Sequence, residues 1–378
     1  MRYYICILMF VFVSVAVHAK DSRKPQSTWS APQWIQPATA SYDEGTFAVP
    51  ESLRPEVDFW IKIYTQYSTQ QGIFHYPGDT SQVLGEVDLT QVYANQKWSA
   101  VRKQLEAELI VRRQKRILAK KLKVKDLNKI RLQVGLKDRM REAIKISGRY
   151  LPMMEKIFAE KKLPLELTRV VFVESSFNIL AGSKVGASGL WQIMPRVANQ
   201  FNYISDAQDL RNHPMYATQV AAKIFKQNHQ ILKSWPLAVT AYNHGVGSLG
   251  KIIKKYKSND IAFLIDNVNS KKSFGFASRS FYATYLAALH VERNANLYFP
   301  EPIYKDPPLE ITYLKLSKKI KYDDLLAVFN NDTVKLKLYN PHLRGIYLKS
   351  GKTIPAQVVV NVPKSIPNRL AATKEITF

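Results

Sequence analysis

The chain has 378 residues, 46% hydrophobic and 22% charged, which suits a folded protein of more than one domain and argues against disorder as the default. Its 55 Lys and Arg against 30 Asp and Glu give a formal net charge of +25, which points to a polyanionic partner. Cys6 is the one cysteine and lies in the leader, so the mature chain is expected to have no disulfide, Cys–zinc site or Cys nucleophile. The seven His show no metal-ligand spacing, so neither a metal nor another cofactor is expected.

Met1-Arg2, an apolar run over 3–17 and Val17-His18-Ala19 have the layout of a secretory signal peptide over 1–19, cut after Ala19. An uncleaved anchor is the alternative. Export places the protein in the periplasm or outside the cell, and no cysteine stands at the cut to carry a lipid. For an exported protein, an acidic wall polymer or a membrane surface fits the charge better than nucleic acid, for which no readout motif is present. The Ser/Pro/Gln-rich stretch 20–49 reads as a linker. A helical N-terminal region follows over 50–141. Leu53, Val57, Trp60 and Ile61 fall at helix spacing within a helix expected over 50–71. Long charged helices are expected over 88–145, with Leu105, Leu109, Ile117 and Leu118 as their apolar positions. The basic cluster 112–125 is either a binding face or a solvated helix face.

The segment 142–299 reads as one compact helical domain. Within a helix expected over 163–177, opened by Leu163-Pro164, the residues Leu167, Val170, Val171 and Glu174 follow the i, i+3, i+4, i+7 spacing and share a face. A carboxylate on a core-facing stripe is costly when ionised, so its pKa rises towards the range a general acid needs. The bland alternative is a helix-end glutamate in solvent or in an ion pair. Residues 181–189 then carry three glycines and two serines, able to turn tightly and bring backbone close to a ligand. In Leu190-Trp191-Gln192-Ile193-Met194-Pro195, Gln192 can bond a sugar amide or hydroxyl. Trp191 suits the core better than a sugar face, and Met194 fits either core or cleft wall. Ala241-Tyr242-Asn243-His244-Gly245 ends a later helix. Asn243 there is a C-cap or a site residue, and Tyr242 is harder to explain as a cap.

Glu174-Ser175, then Gly189-Leu190-Trp191-Gln192-Ile193-Met194-Pro195, then Ala241-Tyr242-Asn243-x-Gly245 closely resemble, in order, residue type and spacing, the lytic transglycosylases of glycoside hydrolase family 23. Leu53-Arg54-Pro55 with Phe59-Trp60, and Gly148-Arg149-Tyr150-Leu151-Pro152, are similar to the membrane-bound lytic murein transglycosylase D subgroup. The resemblance implies a mainly α protein with a goose-type lysozyme-like catalytic domain, a helical N-terminal arm and a small α+β module. It implies peptidoglycan glycan strands as substrate and Glu174 as the sole catalytic acid and base. Ser175, Gln192, Met194, Tyr242 and Asn243 would line the cleft. The family's fourth motif supplies a Tyr from the last helix. Here Phe281 takes that place in an ungapped alignment, and Tyr282 follows one step later. Hydrolysis by a lysozyme-like muramidase and a non-catalytic wall-binding role are the competing functions, and a monomer is expected.

A two-carboxylate glycosidase needs a second acid across the sugar. Between 175 and 245 only Asp206 and Asp209 are available, and they belong to none of these motifs. Past a Pro-rich boundary at 300–308, residues 309–365 show a β-α-α-β order. Leu338-Tyr339-Asn340-Pro341 and Val360-Asn361-Val362-Pro363 weakly resemble the LysM peptidoglycan binders, whereas 316–322 departs from their opening run. The module is a sugar binder or a packing appendage, followed by a tail over 366–378.

Overall fold

A computed structural model describes residues 45–268, 274–364 and 373–375. The leader with Cys6, its cut near Ala19 and most of the 20–49 linker lie outside the described residues, as does most of the 366–378 tail. In chain order the elements are α1 (Arg54–Thr65), β1 (Gln71–Tyr76), β2 (Asp79–Asp88), α2 (Thr90–Ala94), α3 (Ala100–Lys121), β3 (Arg131–Val134), α4 (Lys137–Ser147) and α5 (Leu151–Glu160). There follow α6 (Val170–Glu174), α7 (Pro195–Asn199), α8 (Pro214–Leu232), α9 (Trp235–His244), α10 (Val246–Tyr256), α11 (Ile261–Asn267), α12 (Phe276–Arg293) and α13 (Ala295–Tyr298). The chain ends with β4 (Ile311–Leu316), β5 (Ile320–Lys321), α14 (Tyr322–Val328), α15 (Thr333–Tyr339), β6 (Thr353–Ile354), β7 (Val359–Pro363) and β8 (Thr373–Glu375). The protein is mainly helical, as its sequence leads one to expect. It divides into two compact units, one built chiefly from 7–142 and 231–303, the other from 143–230 and 304–378.

In the first unit, α1 buries Val57, Trp60, Ile61 and Tyr64, the i, i+3, i+4, i+7 face, and packs on α12. The helix stops at Thr65, short of the expected 71, because the chain then enters a sheet that helical periodicity does not reveal. β1 and β2 form an antiparallel hairpin turned at Pro77-Gly78, with Gln71 opposite Asp88 and Tyr76 opposite Asp79. β3 pairs along the other edge of β1, which gives the order β2-β1-β3. The region expected to be helical over 50–141 is therefore a mixture. Gln-Gly-Ile-Phe-His-Tyr is too short to show its period, and its partner β3 arrives more than fifty residues later. α3 packs on this sheet through Ala107, Ile110, Val111, Leu118 and Ala119, against Phe74, Val87, Ile130 and Leu132. Of the four apolar positions singled out from sequence on this helix, only Leu118 packs there. Leu105, Leu109 and Ile117 are exposed.

In the second unit, Phe158 of α5 stacks on Trp191 at 5.7 Å with the rings 8° apart, and Phe225 of α8 meets both rings. Trp191 is fully buried and donates from Nε1 to Thr218 Oγ1 at 2.9 Å, so it is a core residue. The C-terminal elements form a sheet of order β7-β4-β8 and a β5/β6 pair, with α14 and α15 closing a core around Leu314, Leu316, Leu325, Phe329, Leu336 and Val360. The expected strand–helix–helix–strand order is present, with the short β5 and β6 added. This module is joined to the 203–213 segment by backbone. Asp209 N donates to His342 O at 2.8 Å, and Arg344 N donates to Ala207 O at 2.9 Å. Gln208 Oε1 accepts from Val359 N at 2.9 Å.

Candidate active site

Pro164 precedes a tight 3-10 turn over Leu165–Arg169, which runs into α6, so the single helix expected over 163–177 is two shorter pieces. Pro164 has no N–H to continue a ladder and sits at ψ 131, outside the turn it introduces. The inward stripe survives: Leu167, Val170 and Val171 are fully buried. Glu174 is the last residue of α6. The chain reverses directly after it, because Ser176 and Phe177 both take left-handed backbone at φ 50° and 57°. Phe177 folds back edge-on against Phe172 at 4.7 Å. Ser175 Oγ donates to Leu190 O at 2.8 Å, joining the end of the helix to the following loop.

Glu174 keeps partial contact with solvent, yet its Oε1 is fully buried and has no hydrogen-bond partner among the described residues. Burial in apolar surroundings pushes its pKa from 4.5 up to about 8. At that value the carboxyl is mostly protonated at neutral pH.

The loop that follows is held internally throughout. Gly186, Gly189 and Gln192 take positive φ at 91°, 78° and 46°, and Ser188 bridges both Gly182 and Ile193. Gln192 is buried and spends both amide hydrogens on the loop, donating to Gly189 O at 2.9 Å and Ala181 O at 3.0 Å. Met194 follows, half-buried, just before Pro195 opens α7. Arg211 reaches into the loop and donates from Nη1 to Gly186 O at 2.6 Å and to Ile193 O at 3.2 Å. Asp209 holds that guanidinium from the other side. Gly189 lies so close that a Cβ there would stand 2.1 Å from Arg211 O. Asp209 is thus a structural anchor, the role its position among the motifs had left open. Sequence reading overlooked this clamp, whose one visible signal was an Arg two residues from an Asp in a polar turn.

Glu174, Ser175, Gln192 and Met194 belong to this unit. Tyr242, Asn243 and Tyr282 belong to the other. There, α9 ends at Gly245, whose φ of 89° lets the chain turn directly into α10. Asn243 is buried and does not cap backbone. Its Oδ1 accepts from Ser278 Oγ at 3.1 Å, and its Nδ2 has no partner among the described residues. The same Ser278 Oγ lies 3.0 Å from His244 Nδ1, whose pKa burial lowers. This Asn243–Ser278–His244 chain spans two helices and leaves no signal in the spacing. Tyr242 is half-buried. Tyr282 and Phe281 are both 1% exposed in α12, and Tyr282 lies alongside Tyr285 with centroids 6.1 Å apart. Burial pushes the Tyr282 phenol well above its usual pKa. Among the described residues, no group of three or more His, Cys, Asp or Glu is placed to hold a metal ion.

Residues 154–265 match the family model described as the transglycosylase SLT domain. Over 134 residues the chain is 32% identical to a protein of Alteromonas sp. (strain M-1) named for tributyltin chloride resistance, a match covering 34% of this chain and 65% of that one. It is 25% identical over 220 residues to membrane-bound lytic murein transglycosylase D of Escherichia coli (strain K12), covering 56% of this chain and 45% of that one. The matches thus span less than two thirds of either relative. Among solved structures, the 70 kDa soluble lytic transglycosylase SLT70 from Escherichia coli aligns with a TM-score of 0.33 at 19% identity, over 39% of this chain and 24% of that one.

Proposed function

We propose that this protein is an exported lytic transglycosylase that cleaves the β-1,4 bond between N-acetylmuramic acid and N-acetylglucosamine in peptidoglycan and leaves 1,6-anhydromuramyl ends. The observation that carries this reading is Glu174: one carboxyl, held protonated near neutrality by burial, with a buried oxygen that has no hydrogen-bond partner among the described residues. The match of residues 154–265 to the transglycosylase domain supports it.

In this mechanism Glu174 gives its proton to the glycosidic oxygen as the C1–O bond breaks. The carboxylate that results then takes the proton of the muramyl 6-hydroxyl, whose oxygen bonds to C1 and closes the anhydro ring. Proton and electron pair balance within the substrate, and the acid is regenerated. No second carboxylate is needed, which agrees with Asp209 being committed to Arg211. Ser175 and the Gln192 loop position the acid, and Gln192 and Met194 contact the glycan. The C-terminal module is a LysM-like wall contact, and the secretion signal brings the chain to its substrate.

Mass spectrometry of digested peptidoglycan tests the reaction. Anhydromuramyl ends are expected. Reducing ends would instead make the protein a muramidase with water as attacker, and an unchanged digest with Glu174→Gln would remove Glu174 from the chemistry altogether.

A further inference from the structure

The solvent face of α3 is the feature that glycan cleavage leaves unexplained. Its other face is committed to the β2-β1-β3 sheet. On the outer face Val101, Leu105, Leu109 and Ile117 are 69%, 49%, 56% and 52% exposed. They fall on one i, i+4 row of the helix. Arg113 completes that row between Leu109 and Ile117, and Arg112, Arg116 and Lys120 form the row beside it, with Arg102 near its start. All five cations are exposed, and none of the helix's exposed residues is a carboxylate. Glu108 is buried and lies 3.5 Å from Arg112.

Four aliphatic side chains held in water are a cost that a solvated helix has no reason to carry. A polyanionic glycan would use the cations and ignore the aliphatics. A bilayer with anionic headgroups uses both, since aliphatic side chains enter the acyl boundary while Arg and Lys meet the phosphates. At about 1.5 Å per residue the helix is roughly 33 Å long, enough to lie along such a surface. No helix among the described residues is long and apolar enough to cross a membrane, so this face would act by lying on the surface.

We propose that the outer face of α3 is a membrane-surface contact that seats the protein on anionic lipid headgroups. The inference is independent of the glycan chemistry and concerns a different part of the chain.

The test is co-sedimentation of the full chain with vesicles of phosphatidylglycerol and phosphatidylcholine in equal parts, against vesicles of phosphatidylcholine alone. Binding is expected to the first and at least tenfold weaker binding to the second. The triple variant Leu105→Gln, Leu109→Gln, Ile117→Gln and the triple variant Arg112→Gln, Arg116→Gln, Lys120→Gln should each weaken vesicle partition at least tenfold. Their circular dichroism and melting should stay unchanged, because these side chains are exposed. Equal binding to both vesicle types, or none to either, overturns the proposal. So does an apolar variant that binds as well as the parent, which would make the face a polyanion site instead.

Discussion

Arg211 grips Asp209 with two hydrogen bonds, Nε to Oδ1 at 2.9 Å and Nη2 to Oδ2 at 2.7 Å, and both side chains are almost fully buried. The pair fixes the guanidinium so that its remaining nitrogen ties Gly186 O to Ile193 O, at the two ends of the loop that carries Gln192. Asp209 in turn takes backbone from the C-terminal module, since its N–H donates to His342 O. The module, the clamp and the loop are thus links in one continuous set of bonds.

Removing the guanidinium should strip the loop of that support. Arg211→Ala takes the guanidinium away from the buried Asp209 carboxylate, Gly186 O and Ile193 O together, and should cost about 3–5 kcal/mol of stability. Arg211→Lys, which cannot span all four acceptors, should fall between the two. Chemical denaturation measures the stability. Under the proposed function, glycan turnover should fall through a higher KM and a lower kcat together, since the loop would position substrate and not react.

A methyl group at position 189 should be poorly tolerated. Gly189 holds φ at 78°, and a Cβ would meet Arg211 O at 2.1 Å. Gly189→Ala therefore combines left-handed strain with a backbone clash, and should lose at least ~2 kcal/mol in a denaturant titration. Gly182→Ala, with ordinary φ and no contact closer than 4.0 Å, should change little.

Glu174 sets a stability cost and an activity limit at the same time. Its carboxyl titrates at about 8 in the fold and near 4.5 when free. Between these values the unfolded chain has lost the proton that the folded chain retains, so stability falls as pH rises through 4.5 to 8. Glu174→Gln removes that penalty. It should raise stability at pH 7.5 by about 2 kcal/mol, allowing for the solvent contact the residue keeps, while abolishing turnover. In the parent protein kcat/KM should decline above pH 8, as the acid form is lost. A pH–rate profile and paired melting curves check both halves.

Acid should loosen the C-terminal module. His213 and His342 are buried with rings 4.6 Å apart. His213 Nε2 lies 2.9 Å from Asn361 Oδ1, and His342 Nε2 lies 2.9 Å from Val359 O. Both Nδ1 atoms are buried with no partner among the described residues. Desolvation lowers the pKa of His342 to about 4 and that of His213 well below 6.5. As pH falls below 6.5 the unfolded chain gains protons that the folded chain refuses at both positions, at His342 until about 4, so stability is lost as pH falls, by up to ~3 kcal/mol for His342. Thermal melts at pH 7.5, 6 and 5 should show the drop, and His342→Gln, which can still donate to Val359 O, should flatten it.

Much of the architecture was legible along the chain. The apolar stripe at Leu53, Val57, Trp60 and Ile61, the stop at Gly245 and the order of elements in the C-terminal module all follow from local spacing and punctuation. The β2-β1-β3 sheet was not legible, because β3 pairs with β1 across the whole of α3. The exposure of Leu105, Leu109 and Ile117 was hidden for a related reason. Apolar spacing shows that residues share a face, and only the packed neighbour shows which face is covered.

The candidate site divides along the same line. By itself the sequence determined that Glu174 ends an apolar stripe, that a glycine-rich turn follows, and that Gln192 and Asn243 stand in the spacing of a known motif set. Only tertiary structure decided that Oε1 of Glu174 is buried without a partner among the described residues, that Gln192 spends its amide hydrogens on its own loop, and that Asp209 is an anchor for Arg211. Periodicity is a property of neighbours along the chain. Desolvation and hydrogen-bond commitment depend on groups that only folding brings close, and these set the protonation state on which the chemistry turns.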